Sequence, residues 1–153
     1  MTASMIKILV ELDSNEWHGM TAERLWASEI EGGHYRIENN PMYAYGISFA
    51  DIVDVEFDAQ DQIVFDKVIR KSGHSNYRIL LRKGIGRSEF ESVWPNLESL
   101  GCRYESTQDP DRVYAIDVPP DVDVHYVYSV LLLGEKRGLW YLDEGNFEHA
   151  QIH

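Results

Sequence analysis

The stretch from Gly32 to Phe57, GGHYRIENNPMYAYGISFADIVDVEF, constrains the fold of this chain more than any other. It joins a glycine pair, a short β-prone run, a proline turn, an irregular aromatic link and a second, alternating run. Asn39-Asn40-Pro41 is a firm turn signal, because proline fixes its own φ and drives Asn40 out of the helical region. Met42, Tyr43 and Tyr45 then cross an irregular link to Gly46. From Asp51 to Asp58 the side chains alternate. Asp51, Val53, Val55 and Phe57 share one face, and Ile52, Asp54, Glu56 and Asp58 share the other, the period of a half-buried strand.

The flanking segments repeat this style. Ile6, Ile8, Val10 and Leu12 alternate with polar residues and predict a strand over Ile6 to Asp13. Ser14 to Gly19 reads as a loop, with Trp17 folding back onto the core. ERLWASE, from Glu23 to Glu29, fits helix or strand by itself, but Gly32-Gly33 followed by HYRIEN favours a hairpin with Leu25 and Trp26 in its first arm. Asp58-Ala59-Gln60-Asp61 turns the alternating strand, and Gln62 to Ile69 returns. Short, closely spaced strands with tight turns point to a small barrel or a strongly twisted sheet.

After the loop Lys71 to Asn76, KSGHSN, the pattern changes character. Tyr77 to Arg82 reads as an apolar strand. Ser88 and Glu91 have the spacing of a capping box, and Phe90, Val93, Trp94, Leu97 and Leu100 form a helical stripe. Pro95 inside it predicts a kink or a delayed start, and Gly101 a C-terminal cap. Cys102 to Thr107 and Arg112 to Val118 read as strands joined by a turn at Gln108 to Asp111. Asp121 or Asp123 caps a second helix lined by Val124, Val127, Tyr128 and Leu131, with Lys136, Arg137 and Gly138 at its end. Leu139 to Leu142 is the last strand. This βαββαβ order is the ferredoxin-like arrangement, with both helices on one face of an antiparallel sheet. The fold class is α+β, with a β-rich subdomain over 1–76 and a ferredoxin-like one over 77–153. No stretch near Arg70 to Asn76 is long enough for a linker, so one cooperative unit is expected.

Charge narrows the function. Fourteen Lys and Arg against 26 Asp and Glu leave a net charge of −12. Direct contact with nucleic-acid phosphates needs a basic surface and is disfavoured. Solubility alone accounts for an acidic chain, and a basic partner steered in by a negative face is the sharper account. The longest apolar run, Val127 to Leu133, is far short of the roughly 18 to 20 residues of a membrane span. The N-terminus lacks the pattern of a signal peptide, and Cys102 is the only cysteine, so a cytoplasmic setting without an intrachain disulfide is expected. Cys102 itself reads as a small apolar residue at a helix-to-strand join.

No catalytic pattern stands out. The six histidines show no metal-binding spacing with another ligand, and neither metal nor cofactor is expected. Ser72, His74 and Ser75 place hydroxyls beside an imidazole, yet adjacency in sequence does not bring a base into reach, and a polar turn uses the same residues. Gly84-Ile85-Gly86-Arg87 precedes a helix and is a weak anion-binding signal. The acidic face is less ordinary: Asp54, Glu56 and Asp58 lie along one strand, with Asp61 and Asp66 just across the turn. Like charges so close repel one another, and a partner bringing Lys and Arg turns that repulsion into attraction.

The segments ERLWA (Glu23 to Ala27), GHYRIENNP (Gly33 to Pro41), GISFADIV (Gly46 to Val53) and SGHSNYR (Ser72 to Arg78) together resemble DUF4265, a bacterial family of unknown function. The resemblance covers Ile6 to Arg82 well and the rest more loosely. It brings no catalytic residues, and Ala50 stands where that pattern more usually has glycine. Small acidic proteins of this kind are also similar in character to immunity proteins of bacterial toxin systems. The leading expectation is therefore a binding protein, not an enzyme, that occludes a basic toxin such as a nuclease through Asp54, Glu56, Asp58, Asp61 and Asp66, with Tyr43 and Tyr45 beside them. The alternative is a ligand-sensing or regulatory domain that uses the tyrosine-rich segment. An enzyme built on Ser72, His74 and Ser75 is the weakest reading.

Overall fold

The computed structural model describes residues 4–107 and 112–150, so the turn expected at Gln108 to Asp111 lies outside the described residues. It is an α+β protein with two sheets and two main helices. Strands β1 (Met5–Glu11), β2 (Ala22–Ile30), β3 (His34–Ile37), β4 (Ile52–Phe57) and β5 (Ile63–Arg70) form a closed barrel in that order. Neighbours are antiparallel, and the barrel shuts where β1 meets β5 in parallel at Leu9 and Val64. The alternation read in the sequence fills its interior with Ile8, Val10, Leu25, Ala27, Ile37 and Val53, joined by Ala44 and Ile47 from the aromatic link.

The second sheet runs β7 (Arg103–Ser106), β8 (Val113–Val118), β6 (Ser75–Leu81), β9 (Trp140–Asn146), all antiparallel. Helices α1 (Arg87–Leu100) and α2 (Val124–Lys136) share one core with Tyr77, Ile79 and Leu81 of β6 and with Tyr114, Ile116 and Val118 of β8. β6 opens at Ser75, so Ser75 and Asn76 belong to the sheet and not to the preceding loop.

Local signals held unevenly. Gly101 ends α1 in the left-handed conformation, and of the two candidate aspartates Asp123 caps α2, accepting from the N–H groups of His125 and Tyr126. Ser88 does not cap α1. Gly86, which has no side chain to cap with, holds the N-cap position instead, and Arg87 is already helical and pairs with Glu91 one turn on, Nε to Oε1 2.7 Å. Pro95 is accommodated inside the helix. Leu100 and Tyr128, read as buried, stay exposed at the margins of their stripes. Trp17 does not enter a core; it packs on His18 and Tyr43 and donates from Nε1 to the Tyr45 hydroxyl at 3.0 Å. Cys102 is buried at the helix-to-strand join, and burial pushes its thiol up to about 12.

The link from Asn39 to Asp51 ties the two sheets together. Glu23 of β2 accepts from the N–H groups of Met42, Tyr43 and Ala44 at 2.6 to 2.9 Å, which stands in for the sheet partners this irregular backbone lacks. On its other side the link receives Arg78 and Asn76 from the face of β6 that points away from the helices. Arg78 donates from Nη1 to Ala44 O at 2.6 Å, and Asn76 from Nδ2 to Pro41 O at 3.0 Å. Among the described residues no helix is long and apolar enough to cross a membrane.

Candidate functional site

The five carboxylates singled out in the sequence lie on the β4–β5 hairpin, but they are not equivalent. Asp58 is half-buried and committed to the turn. Its Oδ1 accepts from the N–H groups of Gln60 and Gln62, both at 2.9 Å, and its Oδ2 from Gln62 Nε2 at 3.1 Å. Asp54 is half-buried beside a bulge, opposite Lys67, and accepts from the N–H of Val55 at 3.1 Å. Glu56, Asp61 and Asp66 are exposed and make no such local bonds. Between Glu56 and Asp58 stands Phe57. By alternation it shares a face with the buried Val53, yet as the last residue of β4 it lies beyond the core and is 65% exposed, more than any other large hydrophobic residue described.

Tyr43 and Tyr45 are not part of that hairpin surface. They sit in the link between barrel and sheet, where the Tyr45 hydroxyl donates to Asp143 Oδ1 at 2.7 Å and its ring lies 4.6 Å from the Arg78 guanidinium carbon. Burial, followed by the charge of Glu23, holds the Tyr43 phenol above its ordinary range. The structure therefore separates the expected binding residues into two groups.

The Ser72-Gly73-His74-Ser75 segment lies at the same seam. The Ser72 hydroxyl donates to Phe49 O at 2.7 Å, and the Ser72 N–H donates to the buried Asp51 at 2.9 Å. Gly73 needs its positive φ of 91° and gives its N–H to Glu148 at 3.0 Å. His74 Nδ1 donates to Asp117 Oδ1 at 2.8 Å. Ser75 pairs not with His74 but with His149: its hydroxyl donates to Nδ1 at 2.6 Å, while His149 Nε2 donates to Pro119 O at 2.8 Å. The Ser75 hydroxyl also accepts the Glu148 N–H at 3.0 Å and is wholly buried, so these groups brace the join of the tail, β6 and β8.

Sequence reasoning singled out neither Asp117, Glu148 nor His149 as part of this seam. A carboxylate inside the otherwise apolar run VYAIDV was the one available signal for Asp117. Glu148 lies against Asp51, and its carboxyl is pushed up to about 7, first by burial and then by the hydrogen bond and charge of Asp51. Gly84 to Arg87 does precede a helix start, without a side-chain cap at Gly86. Among the described residues no group of three or more His, Cys, Asp or Glu side chains is placed to hold a metal ion.

A barrel and a helix-backed sheet, held together by a polar seam, make a small α+β protein whose barrel carries an acidic β4–β5 hairpin. The chain belongs to DUF4265, a domain of unknown function, whose description matches residues 23–142. No curated protein matches it. A hypothetical protein from Neisseria gonorrhoeae, known from a crystal structure, has a similar fold: TM-score 0.75 at 15% identity, covering 98% of this chain and 99% of that one.

Proposed function

We propose that this chain is a non-enzymatic binding protein of the immunity type, which occludes a basic protein toxin with its β4–β5 hairpin inside the cytoplasm. The observation that carries the reading is Phe57, 65% exposed between Glu56 and Asp58, with Asp61 and Asp66 beyond the turn. Phe57 offers an aromatic anchor at the end of β4, and the carboxylates of the same hairpin speed encounter with a partner of opposite sign. The net charge of −12 acts in the same direction. Strand order β7-β8-β6-β9 with both helices in one core supports the ferredoxin-like reading of the second half. The seam bonds support cooperative unfolding of both halves.

The test is affinity for basic proteins recovered by pull-down, or for a toxin encoded beside this chain, over a range of salt. Reversing Glu56, Asp61 and Asp66 to Lys, or replacing Phe57 by Ser, is expected to weaken binding at least about tenfold, roughly 1.4 kcal/mol. Thermal stability should hold for the changes at Glu56, Phe57 and Asp66, none of which supports the core, and fall slightly for Lys at Asp61, whose φ of 60° lies in the left-handed region. Unchanged affinity with a flat salt response rejects the hairpin as the interface.

A second reading, small-molecule sensing, draws on a mostly apolar cavity of about 360 Å³ lined by Trp17, Arg78, Leu80, Tyr141, Leu142 and Asp143. Saturable quenching of Trp17 fluorescence by a screened metabolite, lost in Leu80→Asp, would support it over the first.

A further inference from the structure

A second cavity, of about 210 Å³, opens where the turn after β3 meets β7 and β8; its walls include Glu38, Asn40, Phe49, Arg103, Glu105 and Asp117. Two of these are polar side chains withdrawn from solvent. Asn40 is 4% exposed, and neither its Oδ1 nor its Nδ2 has a protein partner. Asp117 is 2% exposed; His74 occupies its Oδ1 and its Oδ2 is unpartnered. Buried polar groups in folded proteins are nearly all hydrogen-bonded. Three exceptions on the lining of one cavity therefore point to a ligand that completes them.

The lining also states the chemistry. Glu38, Glu105 and Asp117 stand against Arg103 in the lining and Arg36 paired with Glu38, which leaves an excess of one negative formal charge. Glu105 is held in place by the Asn40 N–H, and Glu38 receives Arg36 Nε at 2.6 Å. Arg103 lies over the Phe49 ring, 4.7 Å from its centroid, so that face is already taken and the open acceptors lie on the Asn40 and Asp117 side. The carboxylates do not gather into a metal-binding group. A planar cation with several N–H donors is able to serve the two acceptors Asp117 Oδ2 and Asn40 Oδ1 together, whereas an ammonium is a compact point charge. An acceptor elsewhere on the same ligand serves Asn40 Nδ2.

We propose that this seam cavity recognises a guanidinium group, carried either by a free small molecule or by an arginine side chain of a protein partner. The site is separate from the hairpin, and its failure and that of the hairpin reading are distinguishable, because Glu56→Lys and Phe57→Ser leave it untouched.

The experiment is calorimetric titration of the full chain with agmatine, L-arginine and a short arginyl peptide. Putrescine serves as the ammonium control and methylurea as the neutral one. Saturable binding of a guanidinium probe at least about tenfold tighter than of putrescine is expected, with none for methylurea. Agmatine or L-arginine binding identifies a free molecule, and binding confined to the peptide identifies a side chain. Asn40→Leu removes a side chain without protein partners, so the fold is expected to survive with an equal or higher thermal midpoint while binding is lost. Glu105→Gln, which still accepts the Asn40 N–H, should weaken binding several-fold. No heat with any guanidinium probe at about tenfold the concentration of protein and above, or undiminished binding by a folded Asn40→Leu variant, overturns the proposal.

Discussion

Arg78 on β6 and Asp143 on β9 stand opposite each other in the sheet, the wholly buried guanidinium holding the carboxylate by Nη2 at 2.9 Å and Nε at 3.0 Å. The same guanidinium donates to the carbonyls of Ala44 and Tyr43, so one side chain joins the second sheet to the link that closes over the barrel. The Tyr45 ring covers it, and the Tyr45 hydroxyl returns to Asp143.

Removing that cation leaves a carboxylate and two carbonyls short of donors. Arg78→Met is expected to destabilise the chain by about 2 to 3 kcal/mol, because two carbonyls lose their donor while Asp143, 24% exposed, keeps solvent and the Tyr45 hydroxyl. Arg78→Lys should recover only part, as an ammonium cannot span three acceptors in a plane. Urea unfolding followed by Trp fluorescence measures both, and a loss below about 1 kcal/mol for the Met variant would contradict this account.

Ala50 has φ 69°, in the region that favours glycine, and its N–H is held by Ile37 O at 2.9 Å. That is a conformation glycine adopts without strain. An L side chain there costs about 1 to 2 kcal/mol, partly offset by the chain entropy that glycine gives up on folding. Ala50→Gly is therefore expected to stabilise by about 0.5 to 1 kcal/mol, read as a rise in thermal midpoint. A fall would show that the strain is relieved elsewhere.

Within the acidic hairpin, structure and binding separate. Asp58→Ala removes three bonds that shape the turn and should cost about 1 kcal/mol of stability. Glu56→Ala, an exposed change, should stay within about 0.5 kcal/mol. Equal losses for the two in denaturant titrations would remove the distinction.

Glu148 gives the chain a pH dependence. Its carboxyl rises from the ordinary 4.5 to about 7 on folding, so between those values the folded state holds a proton that the unfolded chain releases. The resulting stability is fully present below about pH 4.5 and is lost as pH rises through about 7. The side chain is only half-buried, and solvent screening limits the effect to about 1 kcal/mol. Glu148→Gln mimics the protonated form, so its thermal midpoint should fall less than that of the unaltered chain between pH 5 and pH 8. Parallel profiles would exclude Glu148 as the source.

The sequence alone determined the features set by neighbours a few positions apart. The alternation of Ile8 and Val10, and of Val53 and Val55, settled which strand faces turn inward. Gly101, and the pair Asp121 and Asp123 of which the second is the cap, marked helix ends because a cap needs only the adjacent backbone. Closure of the barrel was beyond its reach, since Leu9 meets Val64 across more of the chain than any periodicity spans. The seam was equally hidden. Nothing in SNYRILL shows that Arg78 disappears wholly from solvent, because that burial depends on carbonyls at Tyr43 and Ala44 and a carboxylate at Asp143. Likewise Ser75 pairs with His149 in the tail and His74 with Asp117 on β8, partners that adjacency in the sequence could not name. Local bonds follow from spacing, but polar groups buried between two sheets take whichever partners the packing of those sheets delivers, and only the tertiary structure decides that.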